Sequence, residues 1–268
     1  MKGTPLDNKA IVQSLSRDAC KALRVIVRQS VGSTSDEVRD LIRGGSARGV
    51  VVLAEEQTQG RGRRGRVWHS PAGANLYCSV GWEFSQSLSQ LSCLGLAIGA
   101  IVADVLASEY AVELQLKWPN DLFFSGRKLG GILIETLGNL DGRQQVIIGL
   151  GLNIGMPETA HEAINRPWTD LREALGESVD RNALAAVLLS YLVSGLDRFE
   201  ESGLAPWASV WEERDFLKGR SVLVDGVPPV SGVAAGIDCT GELILETEAG
   251  RRLIAGGEAS LLEVGPLQ

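Results

Sequence analysis

The apolar positions of this chain change their period along its length, and each period predicts an element. Val38, Leu41 and Ile42 make a helical stripe that Ser35 can cap, with acids in its first turn and Gly44-Gly45 as its stop, so 35–42 reads as a short helix. Short apolar runs at 50–54 and 76–82 read as buried strands. Across 88–109, Leu91, Leu94, Ile98, Ile101, Val102, Val105 and Leu106 recur at helical spacing and predict a long core helix. Strands at 113–117, 121–124, 128–136 and 145–154 then form a mainly antiparallel meander, turning at 125–127 and 139–142. A second long helix opens at Asp180 and runs through Leu184, Val187, Leu188, Leu192, Leu196 and Phe199 to Gly203. A shorter one, 206–214, starts with proline, where proline is tolerated.

After Gly219 the texture changes. Short strands at 220–225, 230–237, 242–247, 251–255 and 260–264 alternate with glycine-bearing turns, the spacing of a small β-barrel. The pattern therefore predicts an α/β domain over 1–217 and a small all-β domain over 218–268. The longest nearly apolar run, 95–107, is broken by Asp104 and is shorter than the roughly 18–20 residues of a membrane span, so no membrane helix is expected. The first residues lack the apolar stretch and cleavage site of a signal peptide, so none is expected there.

Composition narrows the class. With 44% hydrophobic and 22% charged residues the chain can bury a real core, which excludes disordered and collagen-like classes. Cys20, Cys78, Cys93 and Cys239 are scattered, and with only His69 and His161 beside them no metal-ligand spacing appears. Free thiols in a reducing cytoplasm are the expectation. The net charge of −7 argues against a dedicated nucleic-acid binder, yet Arg61, Arg63, Arg64 and Arg66 put four positive charges into six residues.

That segment, 57–71, carries the most chemistry. Its glycines allow tight turns that bring N–H groups to an anion, and its arginines are forked donors suited to phosphate or carboxylate. Such a loop repels itself while empty, so it is expected to be mobile until an anionic ligand closes it; the plain alternative is a solvated basic loop or a nucleic-acid contact. Its spacing is not that of a Walker nucleotide loop. A second segment, Lys117-Trp118-Pro119-Asn120-Asp121 followed by Arg127-Lys128-Leu129-Gly130-Gly131-Ile132, reads either as a bland hairpin or as two lysines at apolar strand edges that require anionic partners. The alternating glycines of Gly149-Leu150-Gly151-Leu152-Asn153 leave one strand face bare, which suits tight packing or a flat ligand.

The chain resembles the biotin protein ligases. Gly60-Arg61-Gly62-Arg63-Arg64-Gly65-Arg66 with Trp68, Ser70-Pro71 and Gly73-Ala74-Asn75-Leu76 looks like the family's signature loop, and the other two segments follow in the family's order. The resemblance implies a class II-synthetase-like α/β (α+β) domain, a mixed sheet with helices on one side, followed by a Src-homology-3-like barrel. It implies that biotin and ATP, with Mg2+ brought by ATP rather than ligated by protein, give biotinyl-5′-AMP and pyrophosphate. The biotinyl group then passes to a lysine of the biotin carboxyl carrier protein of acetyl-CoA carboxylase. Neither step needs a side-chain nucleophile, which suits a sequence without a credible triad.

By matched position, the resemblance implies biotin contacts at Ser33, Thr34, Ser35 and Gln57, with Arg61, Gly62 and Arg63 closing over biotin and the adenylate. Lys128 and Arg63 are the implied catalytic cations. Arg64, Lys117, Asn120 and Asn153 fall on the ATP side, Asp121 mainly supports its turn, and Trp168 either stacks on adenine or packs on the core. The family often has Asn where this chain has Ser35, which shortens one polar contact to biotin. Many bacterial members carry an N-terminal winged helix-turn-helix; too few residues precede Gly32 for it, so the monofunctional type, without DNA or membrane binding, is expected. The family often self-associates through its catalytic sheet, which leaves a homodimer open. The alternatives are a lipoate–protein ligase, whose usual Arg-Arg and Gly-Gly-Gly loop is not found here, and a non-enzymatic anion- or nucleic-acid-binding module.

Overall fold

The computed structural model describes residues 4–262. Helices α1 (Asn8–Ser14) and α2 (Arg17–Ala22) lead into strand β1 (Arg24–Val31), then α3 (Thr34–Leu41), β2 (Val50–Gln57), β3 (Leu76–Phe84) and the long α4 (Leu94–Tyr110). The meander follows as β4 (Gln115–Lys117), β5 (Asp121–Phe124), β6 (Arg127–Leu140) and β7 (Arg143–Leu152). Two short helices, α5 (Ala160–Ala163) and α6 (Leu171–Leu175), precede the long α7 (Arg181–Ser202) and α8 (Ala208–Arg214). The last strands are β8 (Ser221–Val224), β9 (Val230–Ile237), β10 (Leu243–Thr247), β11 (Gly250–Ile254) and β12 (Ala259–Leu261). The strand expected at 260–264 is thus seen as β12, and positions 263 and 264 lie outside the described residues.

β1 to β7 form one sheet in the order β1-β2-β3-β7-β6-β5-β4, parallel between β1 and β2 and antiparallel elsewhere. Because side chains alternate along a strand, the sheet has two different faces. Val51, Leu53, Cys78, Val80, Ile148, Leu150 and Leu152 point into the main core with α4 and α7. Val50, Val52 and Ile147 point the other way and meet Val38 and Ile42 beside α3. The expectation of helices on one side therefore holds for the long helices, while α3 covers part of the opposite face. The uncovered remainder of that face carries the site.

α4 is apolar almost all round because it is enclosed by the sheet, α7 and α8. By length and composition Gln90–Tyr110 is apolar enough to cross a bilayer, yet most of it is buried inside the protein. The cap of α3 departs from the sequence reading. The N-cap position is Ser33, whose hydroxyl makes no capping bond, and the Thr34 N–H donates instead to Oε1 of Gln57 at 2.9 Å. A side chain from β2 thus caps the helix, leaving Ser35 inside the first turn. β8 to β12 form a separate antiparallel sheet, ordered β11-β10-β9-β8-β12, whose edge strands do not pair with each other among the described residues.

Candidate active site

Strand register builds the floor of the site. Tyr77, Gly151, Gly131, Asp121 and Lys117 are successive cross-strand partners from β3 to β4, and directly paired residues share a face. Ser79, Gly149 and Leu133 make the neighbouring row. The glycines keep this face low, as the bare-strand reading anticipated, and the indole of Trp68 lies directly on Gly151. A Cβ at position 151 would stand 2.6 Å from Cε2 of Trp68.

Above this floor is a cavity walled by residues from several segments. It gathers Ser33, Thr34, Ser35, Gln57, Arg61, Gly62, Arg63, Arg64, Lys117, Asn120 and Lys128 from segments far apart in the chain. Asn153 and Trp168 instead line an adjoining cavity. The two cavities share Val67, Trp68, Lys128 and Arg166, so Lys128 stands at their waist.

One end of the first cavity is neutral and rich in hydrogen bonds. The Thr34 hydroxyl donates to Gln57 Oε1 at 3.1 Å and lies 2.7 Å from the hydroxyl of Ser79, which is 3.2 Å from that of Ser35. Gln57 Nε2 donates to Ser70 Oγ at 3.0 Å. Ser79 is fully buried and was missed by the sequence reading. An isolated serine in an apolar strand carries no signal, although its place opposite Gly149 could have been read once the register was known. Ser35, short where the family often has Asn, uses Ser79 as its partner.

The other end is cationic. Lys128 Nζ lies 2.5 Å from Asp121 Oδ1 and 5.3 Å from the Trp68 ring. Burial pushes the Lys128 ammonium below the usual lysine value, and the Asp121 carboxylate opposes that shift. Asp121 is therefore the counter-ion that a buried lysine requires, a larger part than the turn support expected of it. Lys117 is also lowered by burial, and Arg63 by burial and by its neighbour Arg64. Among the described residues Arg63, Lys117 and Arg166 have no carboxylate within 4.0 Å, although each lines the first cavity.

The arginine loop is not left to repel itself. Arg61 forks onto Asp36 of α3 at 2.6 and 2.7 Å; the hydrogen bond from Arg61 holds the Asp36 carboxyl below its ordinary range. Arg64 pairs with Asp225, and Arg66 with Glu258 at 2.5 Å. Arg63 donates to the Gly257 carbonyl at 3.1 Å and reaches Asn120 Oδ1 at 3.4 Å. Three arginines thus fasten the loop to the C-terminal sheet. Burial acts to raise the Glu258 carboxyl, but the Arg66 hydrogen bond and the fields of Arg66, Lys117 and Arg166 outweigh it and leave it lowered. No pattern in the sequence linked Glu258 to a loop nearly two hundred residues earlier.

Asn153 donates to the Thr169 carbonyl at 3.1 Å. Trp168 stacks on His161 at 4.3 Å and packs with Met156, Ala160 and Ile164, the packing that the sequence reading gave as one of its two roles. The indole N–H groups of Trp68 and Trp168 have no acceptor among the described residues. Cys78, on the strand that supplies Tyr77 and Ser79, points into the main core, and burial pushes its thiol up to about 12, which disfavours a thiolate nucleophile. Among the described residues no cluster of three His, Cys, Asp or Glu could hold a metal ion.

Comparison with known proteins agrees with this geometry. Residues 9–153 match the Biotin/lipoate A/B protein ligase family, and residues 219–262 match the Biotin protein ligase C terminal domain. The chain is 42% identical over 238 residues to the bifunctional ligase/repressor BirA of Escherichia coli, covering 88% of this chain and 74% of that protein. It is 32% identical over 261 residues to the biotin–(acetyl-CoA-carboxylase) ligase of Mycobacterium tuberculosis, covering 95% of each. Its structure matches the biotin protein ligase of Aquifex aeolicus in complex with biotin and ATP with a TM-score of 0.74, at 28% identity over 89% of this chain and 98% of that one. A mixed sheet with a two-chambered cationic cleft and a small antiparallel sheet behind it defines the class, a protein ligase. The chain belongs to the Biotin/lipoate A/B protein ligase family, and within it to the biotin protein ligases.

Proposed function

We propose that this protein activates biotin with ATP to biotinyl-5′-AMP, releasing pyrophosphate, and then transfers the biotinyl group to a lysine of a biotin carboxyl carrier protein. The observation that carries the reading is a single cavity with a neutral hydroxyl-and-amide end and a cationic end, with Lys128 where it meets the second cavity. Ser33, Thr34, Ser35 and Gln57, joined by Ser79, hold the ureido ring. Lys128 and Arg63 draw the biotin carboxylate and the α-phosphate together, two anions that repel each other in water. A carboxylate oxygen forms the bond to the α-phosphorus as the bond to pyrophosphate breaks. In the second step the amine of the carrier lysine forms the amide and AMP leaves.

Charge supports ATP entering with a divalent cation. Arg63, Lys117, Lys128 and Arg166 carry less positive charge than ATP plus the biotin carboxylate carry negative, and an Mg2+ held by phosphates and water would lessen that imbalance. Asp121 and Glu258 are already paired, so direct ligation by protein is not part of the reading. The reading includes a catalytic domain over 1–217, a small β domain over 218–268, and the cytoplasm, where the free thiols persist. Pyrophosphate–ATP exchange with biotin, with lipoate and with no acid tests it. Biotin-dependent exchange is expected; exchange with lipoate alone would assign the sister activity, and none with either would overturn the reading.

A further inference from the structure

The waist between the two cavities is formed by four residues, and two of them are cations. Lys128 comes from β6, and Arg166 from the loop after α5. That loop is fastened to the lysine's own peptide. Lys128 N–H donates to the Pro167 carbonyl at 3.2 Å, and Thr169 N–H donates to the Lys128 carbonyl at 3.0 Å. Arg166 immediately precedes the bonded stretch, so its main chain is held in register with Lys128.

Arg166 adds to the positive charge gathered at this junction. It joins Arg63, Lys117 and Lys128 around cavities with two lining carboxylates, each already paired with a lysine or arginine. Its positive charge disfavours the charged forms of both lysines. Arg166 itself has no carboxylate within 4.0 Å among the described residues, and its side chain is exposed. Asp121 and Glu258 offset only part of this convergence of like charge, and a polyanion bridging the two cavities would offset the rest.

From the shared wall and the tether to Lys128 we infer that Arg166 is a binding residue for the ATP triphosphate, gripping it where it passes between the cavities and holding the pyrophosphate as it leaves. The inference rests on the biotin-ligase reading and adds to it a cation that the arginine loop does not supply. Arginine suits the task because its planar fork can take two phosphate oxygens at once, and lysine offers only a point charge.

Arg166→Ala and Arg166→Lys, compared with wild type in biotin-dependent pyrophosphate–ATP exchange, test it. For Arg166→Ala the KM for ATP and the KM for pyrophosphate in the reverse reaction are both expected to rise roughly tenfold or more, the loss of one charged hydrogen-bond donor. Arg166→Lys is expected to fall between. Biotin affinity, measured by tryptophan fluorescence without ATP, and the thermal midpoint are expected to stay near wild type. Values of KM for ATP and pyrophosphate within twofold of wild type in Arg166→Ala would overturn the inference. A rise confined to biotin would do the same. Absence of exchange in the wild-type protein would instead count against the functional reading on which the inference stands.

Discussion

Asp121 shows how one side chain sets the chemistry of another. It sits in a Pro-Asn-Asp turn that reads as ordinary hairpin chemistry, yet its Oδ1 is 2.5 Å from Lys128 Nζ. The sequence announced that a lysine at an apolar strand edge needs an anion, but several acids and bases stand in that stretch, and only the β4–β5–β6 register selected the pair. Lys128→Ala is expected to lower adenylate formation about 100- to 1000-fold without unfolding the protein, as removal of a preorganised transition-state donor does; pyrophosphate–ATP exchange beside circular dichroism checks it. The pH dependence follows from the same pair. Burial lowers the Lys128 ammonium below the usual lysine value, and the cation is lost as pH rises through that lowered value, so the alkaline limb of kcat/KM is expected below the ordinary lysine range. Asp121→Asn removes the attraction that opposes the lowering. Its alkaline limb is therefore expected to move to still lower pH, and an unmoved limb would separate the two residues.

At the scale of elements, the glycine-bearing strands were legible and the helix cap was not. Alternation of Gly149 and Gly151 announced a bare face because period two is a local property of a strand. The cap of α3 was misplaced because its donor is satisfied by Gln57, an acceptor on a different strand. α1, α2 and β1 carried little signal for a related reason: helices this short are marginal alone, and β1 is an edge strand with three consecutive exposed positions. Contacts with α7 and a parallel ladder to β2 stabilise them instead. Gly151→Ala tests the bare face, since a methyl there meets the Trp68 indole at 2.6 Å. Overpacking of this kind costs about 1–3 kcal/mol, so exchange activity is expected to fall about tenfold or more, with a changed tryptophan emission. Gly131→Ala, whose methyl would find Asp121 at 3.4 Å and Lys128 at 3.5 Å, is expected to be milder in the same assay.

Across the whole molecule, the arginine loop joins the two sheets. Its expected mobility rested on self-repulsion, and the structure shows why that premise is incomplete: Asp36, Asp225 and Glu258 neutralise Arg61, Arg64 and Arg66 from three separate elements. The small C-terminal sheet thereby forms part of the wall around the reacting groups. Asp225→Asn combined with Glu258→Gln is expected to speed release of biotinyl-5′-AMP several-fold, measured by retention of labelled adenylate on gel filtration. Its thermal midpoint is expected to change little, because exposed ion pairs contribute at most about 1 kcal/mol each. Unchanged adenylate retention would assign the pairs to surface solvation alone.

What the sequence determined by itself was whatever depends on near neighbours in the chain: the long helices, the antiparallel meander, the glycine alternation, and the cationic loop whose motifs resemble the biotin protein ligases. Periodicity and turn chemistry are set within a few residues, so they survive without the fold. Tertiary structure alone decided which acid met which base, placed Ser79 beside Thr34 and Ser35, brought Glu258 to the loop, and set Arg166 and Lys128 in the walls of the same two cavities. Ion pairing and hydrogen bonding act over a few ångströms of space regardless of separation along the chain, and only the register of the sheet and the packing of the loops fix those distances.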